Sequence, residues 1–129
     1  MDDDVIPEDV RQFFVQNIDS IAQWEALLIL RDAPDRNWSA ESIAQRLYII
    51  EAEAAQLLEK LLAQSFLCVV SQHPLLLYRY QPESPERACA VDRAATFYAK
   101  CLVPVTHLIH ANSKNRIQKF ADAFKIRKD

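Results

Sequence analysis

Apolar residues recur along this chain at spacings of three and four, interrupted once by two short β-favouring runs, and that pattern lays out the elements. Val10, Phe13, Phe14 and Ile18 form one helical stripe. Pro7, Glu8 and Asp9 give it a start, with proline preset for the first turn and acids favourable at the positive end of the dipole. A second helix opens at Asp19 or Ser20, with Gln23 in capping-box position, and carries Ile21, Trp24, Leu27, Leu28 and Leu30 before stopping at Ala33-Pro34. Ser39 is expected to cap a short helix with Glu41 in its first turn and Ile43, Ala44 and Leu47 facing inward. The next helix runs from about Glu51 to Gln64 on an inner face of Ala54, Ala55, Leu58, Leu61 and Leu62. The spans 66–70 and 76–80 are rich in β-favouring residues and are separated by Ser71, Gln72, His73 and Pro74, so they predict a hairpin. A long helix follows from about Pro85 to Ala111, interrupted at Pro104, whose missing N–H and ring clash should kink it. Asn112 or Ser113 is placed to cap a last amphipathic helix with Ile117, Phe120, Ala121 and Phe124 on one side.

Composition narrows what such a helical chain does. Its 129 residues suit a single domain core with an appended arm, and with 50% of them hydrophobic and 26% charged the chain is expected to fold. No stretch approaches the roughly 18 apolar residues of a membrane span, and Met1-Asp2-Asp3-Asp4 has the wrong charge for a secretory or mitochondrial signal, which predicts a cytoplasmic protein. Cys68, Cys89 and Cys101 form no C-x-x-C pair and read as reduced thiols. Glycine is absent, which excludes Walker loops, dinucleotide fingerprints and G-x-S-x-G elbows, because each needs glycine for close backbone approach. The net charge of −3 conceals an asymmetry: residues 1–18 carry −4, residues 19–82 carry −3 and residues 83–129 carry +4.

The order helix, short helix, tight turn, helix, two-stranded wing is that of a winged helix-turn-helix, and between Ile21 and Gln81 the residues resemble the MarR-like transcriptional regulators. The family's Ser-x-x-x-Ile-Ala-x-x-Leu helix is matched by Ser39, Ile43, Ala44 and Leu47. Its Leu-x-x-Leu-x-x-x-Gly-Leu ending is matched by Leu58, Leu61, Ser65 and Phe66, with Leu67 and Val69 continuing into the strand. The fold so implied is mainly α: a winged helix-turn-helix core with a small β-hairpin wing, flanked by N-terminal and long C-terminal helices. Residues 1–18 would be an N-terminal arm, 19–82 the winged-helix domain and 83–129 a C-terminal extension with a basic tail. The resemblance implies a non-enzymatic binding module. No carboxylate pair or Ser/His/Asp set suggests otherwise.

The outward positions depart from the family. There the recognition helix enters the major groove with hydroxyl, amide and basic residues, whereas here Glu51, Glu53 and Glu59 share that face with Gln56 and Lys60. The wing tip offers Gln72, His73, Pro74 and Leu75 where a DNA-reading wing presents Arg or Lys, and Ser65 stands where the helix is usually ended by glycine. Two readings therefore stand side by side. In one the chain binds duplex DNA as a dimer through Gln56, Lys60 and Arg79, with Lys114, Arg116 and Lys119 of the tail on the phosphates. In the other the winged helix serves protein–protein interaction, and Glu51, Glu53 and Glu59 face a basic partner. A seam of Val91, Ala94, Tyr98, Cys101, Val105 and Leu108 suits either packing within the chain or a homodimer, as the family's terminal helices imply. His107, His110 and Cys101 lie along one helix without forming a ligand motif, so neither a metal nor a cofactor is assigned.

Overall fold

The computed structural model describes residues 6–114. Seven elements are α1 (Glu8–Asn17), α2 (Ile21–Asp32), α3 (Ala40–Leu47), α4 (Glu51–Ala63), β1 (Leu67–Ser71), β2 (Leu77–Tyr80) and α5 (Pro85–Lys100). Residues 102–114 are helical and are labelled α6. Backbone contacts divide the chain into two units: Ala22–Asp92, and a second that joins the segment ending at Ile21 to the segment beginning at Arg93. The first holds the winged helix-turn-helix that the sequence predicts, α2-α3-α4 followed by the hairpin.

In that unit the apolar stripes meet as their spacing requires. Trp24, Leu27 and Leu30 of α2, Ile43 of α3, and Ala54, Leu58 and Leu61 of α4 are fully buried. Burial of each leucine or isoleucine in this set stabilises by about 1.5–3 kcal/mol. Ser39 caps α3 through a reciprocal box: its Oγ accepts from the Ser42 N–H at 3.1 Å, and the Ser42 Oγ accepts from the Ser39 N–H at 2.8 Å. Helix ends that usually recruit glycine are closed without it. Tyr48 ends α3 at φ 59°, and Ser65 follows α4 at φ 67°. After α4 the Ser65 N–H bonds the Leu62 carbonyl and the Phe66 N–H the Leu61 carbonyl, a Schellman closure built on serine at a cost of about 1–2 kcal/mol.

The strands pair antiparallel with Leu67 opposite Tyr80 and Val69 opposite Tyr78, and the register shifts between Val69 and Ser71. Trp38 adds a third short edge, exchanging two 2.7 Å backbone bonds with Tyr78, while the Arg36 guanidinium lies 3.9 Å above its ring. Gln23, which the sequence placed in a capping box, is fully buried and its Nε2 donates to Gln64 Oε1 at 3.0 Å. Arg87 ties the start of α5 to the end of α4, donating to the Gln64 carbonyl at 2.9 Å and covering the Phe66 ring.

In the other unit Val10, Phe13, Phe14 and Ile18 are buried, as are Ala94, Cys101, Val105 and Ile109. The long helix is interrupted by its proline, as expected, but the break falls before Pro104 and not at it: α5 ends at Lys100, Cys101 forms a bend, and Pro104 sits in the first turn of α6. The cause is the proline ring, which opposes the carbonyl four residues earlier and is tolerated where the N–H would be unpaired in any case. Nor does Asn112 start a new helix, since α6 runs through it and Ser113. Its Nδ2 instead lies 2.6 Å from the Ile18 carbonyl, 3.1 Å from that of Val15 and 3.4 Å from that of Phe14, closing the C-terminal end of α1. Arg93 pairs with Asp9, whose carboxyl it holds below its ordinary range through the hydrogen bond.

Candidate functional site

The helix-turn-helix positions α4 by its buried side and leaves the opposite side to solvent. Glu51, Ala52, Glu53, Gln56 and Glu59 are all exposed. These carboxylates do not have one common explanation. The N-cap of α4 is Ile50, which makes no side-chain cap bond, so Glu51 and Glu53 in the first turn answer the positive end of the dipole, worth about 0.3–1 kcal/mol each. Glu59 stands in the third turn, beyond that effect. The turn leading into α4 adds two exposed apolar side chains, with Tyr48 94% and Ile50 71% exposed.

A cleft of about 340 Å³ opens beside this face. Glu51, Ala55 and Glu59, at i, i+4 and i+8, form one wall, with Glu41 at the start of α3 beside them. The wing supplies the facing wall through Leu75, Leu76 and Tyr78. Leu75 and Leu76 are 53% and 44% exposed, whereas Tyr78 is buried. Burial holds the Tyr78 phenol above its ordinary value, and the nearby Glu59 carboxylate pushes it the same way. The cleft thus joins an apolar floor to three carboxylates, a combination that attracts cationic and apolar groups together.

The duplex-contact candidates are scattered. Gln56 is exposed on α4, Lys60 is half-buried there, and Arg79 lies half-buried on β2 with its Nε fully enclosed. Lys114 is exposed at the end of the described part of α6, and Arg116 and Lys119 lie outside the described residues. So do Ile117, Phe120, Ala121 and Phe124 of the amphipathic tail. Of the seam, Val91, Ala94, Cys101 and Val105 are buried within the single chain and Tyr98 and Leu108 are half-buried. The exposed apolar side chains near it are Leu102 and Val103. His107 and His110 are exposed, and no group of three or more His, Cys, Asp or Glu is placed to hold a metal among the described residues. No helix of the described residues is long and apolar enough to cross a membrane.

Sequence reasoning missed the cleft. Its acids were visible, but Leu75 and Leu76 read as loop tip and strand start. Their place beside α4 depends on how the wing folds back, which alternation alone does not indicate.

No family model matches the sequence, and no curated protein does. The fold itself is shared with solved winged-helix regulators of the MarR-like type. A doubly substituted ZitR from Lactococcus lactis in its apo form superposes at a TM-score of 0.53, with 19% identity over 92% of this chain and 89% of that one. MepR, a transcription regulator of the Staphylococcus aureus multidrug efflux pump MepA, gives 0.50 at 14% identity over 92% and 88%. At such identities the likeness is one of fold: this chain is similar to MarR-like winged-helix proteins in architecture.

Proposed function

We propose that this chain is a non-enzymatic winged-helix module whose recognition helix engages a protein partner rather than duplex DNA. The observation that carries the reading is the solvent face of α4, where Glu51, Glu53 and Glu59 are all exposed. Duplex DNA presents a negative charge every ~1.7 Å of helix axis, and positive protein charge supplies the sequence-independent part of the affinity. A face with three carboxylates subtracts from that affinity. Lys60 on the same helix and Arg79 on the wing are half-buried, with the Arg79 Nε enclosed, which leaves Arg46 of α3 as an exposed cation of the helix-turn-helix. The helix dipole accounts for Glu51 and Glu53 but leaves Glu59, which a basic partner explains.

A duplex-reading dimer is the second reading, favoured by one observation, the fold shared with MepR, a transcription regulator. In that reading Gln56 would approach base edges while Lys60, Arg79 and Lys114 meet phosphates. Anisotropy titration of labelled random-sequence duplex against the full chain, at low and moderate salt, separates the two. The protein-interaction reading predicts no binding at low salt, where non-specific contacts of ~10⁻⁴–10⁻⁶ M tighten. Binding that weakens linearly with the logarithm of salt would establish the second reading in its place.

A further inference from the structure

We infer that the cleft between α4 and the wing is the docking site for a basic, apolar segment of a partner protein, a short peptide that places one or two large apolar side chains between lysines or arginines. The inference rests on the protein-interaction reading above and names the chemistry of the partner. Three features point to this occupant. The apolar component is exposed rather than spent on the core: Leu75 and Leu76 of the wing remain 53% and 44% accessible although both border the cleft. The charged component is ordered, because Glu51 and Glu59 lie eight residues apart on one stripe of α4, about 12 Å along the axis. Glu41 from α3 adds a third carboxylate, so the rim carries charge of one sign from two different helices.

The spacing constrains the occupant. An extended chain spans about 13 Å in four residues, and a helix spans a similar distance in eight, so a cation-apolar-cation pattern at either interval sets both charges opposite Glu51 and Glu59. The apolar side chain between them lies over Ala55, whose small side chain leaves room between the two acids. A neutral apolar ligand would leave the carboxylates unanswered, and a purely basic one would leave the leucines in water. Only a segment with both components satisfies the whole cleft. Tyr78, buried at its inner end, keeps its phenol protonated at neutral pH and so adds no fourth negative charge.

The test is selection of 12-residue peptides by display against the full-length chain. The recovered peptides are then synthesised, titrated, and located on the ¹⁵N-labelled protein by chemical-shift changes. The expected result is a shared pattern of Lys or Arg flanking Leu, Ile or Phe, with shifts concentrated at 51–59 and 75–78. Affinity should fall about tenfold in Glu51→Gln/Glu59→Gln, two screened ion pairs together, and by a similar factor in Leu75→Ser. Both variants alter exposed side chains, so an unchanged spectrum elsewhere verifies their folding. Recovery of no binder, of neutral or acidic binders, or of binders whose shifts lie on another surface would overturn the cleft assignment. Binding at another surface leaves the protein-interaction reading standing, whereas tight duplex binding in the anisotropy titration removes that reading itself.

Discussion

The two faces of α4 obey different rules. On the inner face Ala54, Leu58 and Leu61 are fully buried, and Leu58 and Leu61 are the positions by which the sequence resembles a MarR-like recognition helix. On the outer face Glu51, Glu53 and Glu59 are exposed and oppose what a DNA-reading helix would present. A helix therefore carries its fold and its function on separate surfaces. The first can be kept while the second is rewritten, because apolar packing is indifferent to the charge on the far side of a helix about 10 Å wide.

That contrast can be broken most severely from the inside. Leu58→Ala removes a fully buried side chain at the centre of the helix-turn-helix and should cost about 2–5 kcal/mol, read as a lower midpoint in urea unfolding at unchanged slope. A loss below about 1 kcal/mol would mean that α4 is not packed by this face. The outer face should respond in a graded way. Glu51→Gln and Glu53→Gln each give up about 0.3–1 kcal/mol of dipole stabilisation, while Glu59→Gln stays within about 0.5 kcal/mol of the parent.

Glu59→Gln should nonetheless change its neighbour. Tyr78 has a phenol raised first by burial and then by the Glu59 carboxylate, so the neutral form is favoured in the folded state. A raised value of this kind gives stability that is fully present below the ordinary tyrosine range and is lost as pH climbs through the folded value. Glu59→Gln should move the Tyr78 titration back toward its ordinary value, followed by NMR of ¹³C-labelled tyrosine, without reaching it, because burial persists. An unmoved titration would mean that Glu59 does not face the wing.

Much of this architecture was legible in the sequence because local chemistry and global fold agree. Ser39 announced a helix start and caps one, the Leu58/Leu61 spacing announced a buried face and forms one, and Ser65 was picked out where a left-handed residue was needed. The interruption of the long C-terminal helix by Pro104 was legible, but its place at Cys101 was not, because a proline is tolerated in the first turn of a new helix and spacing alone does not say which residue ends the old one. Asn112 looked like a helix cap, and it does satisfy the end of a helix, but the end belongs to α1, ninety-four residues before it in sequence at Ile18. The seam from Val91 to Leu108 shows the same limit: helical spacing marks an apolar face without saying what covers it, and four of its six residues are buried within the chain. The carboxylates of the candidate site were visible one by one. The cleft they form with Leu75 and Leu76 was not, since it depends on how the wing is set against α4.

On the proposed reading, the carboxylates of α4 decide what this winged helix can bind. The decisive comparison is of affinity for one random-sequence duplex, at low salt, between the full-length chain and its Glu51→Gln/Glu53→Gln/Glu59→Gln variant. Removing three negative charges from the face that would meet the phosphates should turn no detectable binding into measurable, salt-sensitive binding. Equal and tight binding by both proteins would mean that the outer face is irrelevant to the choice of partner.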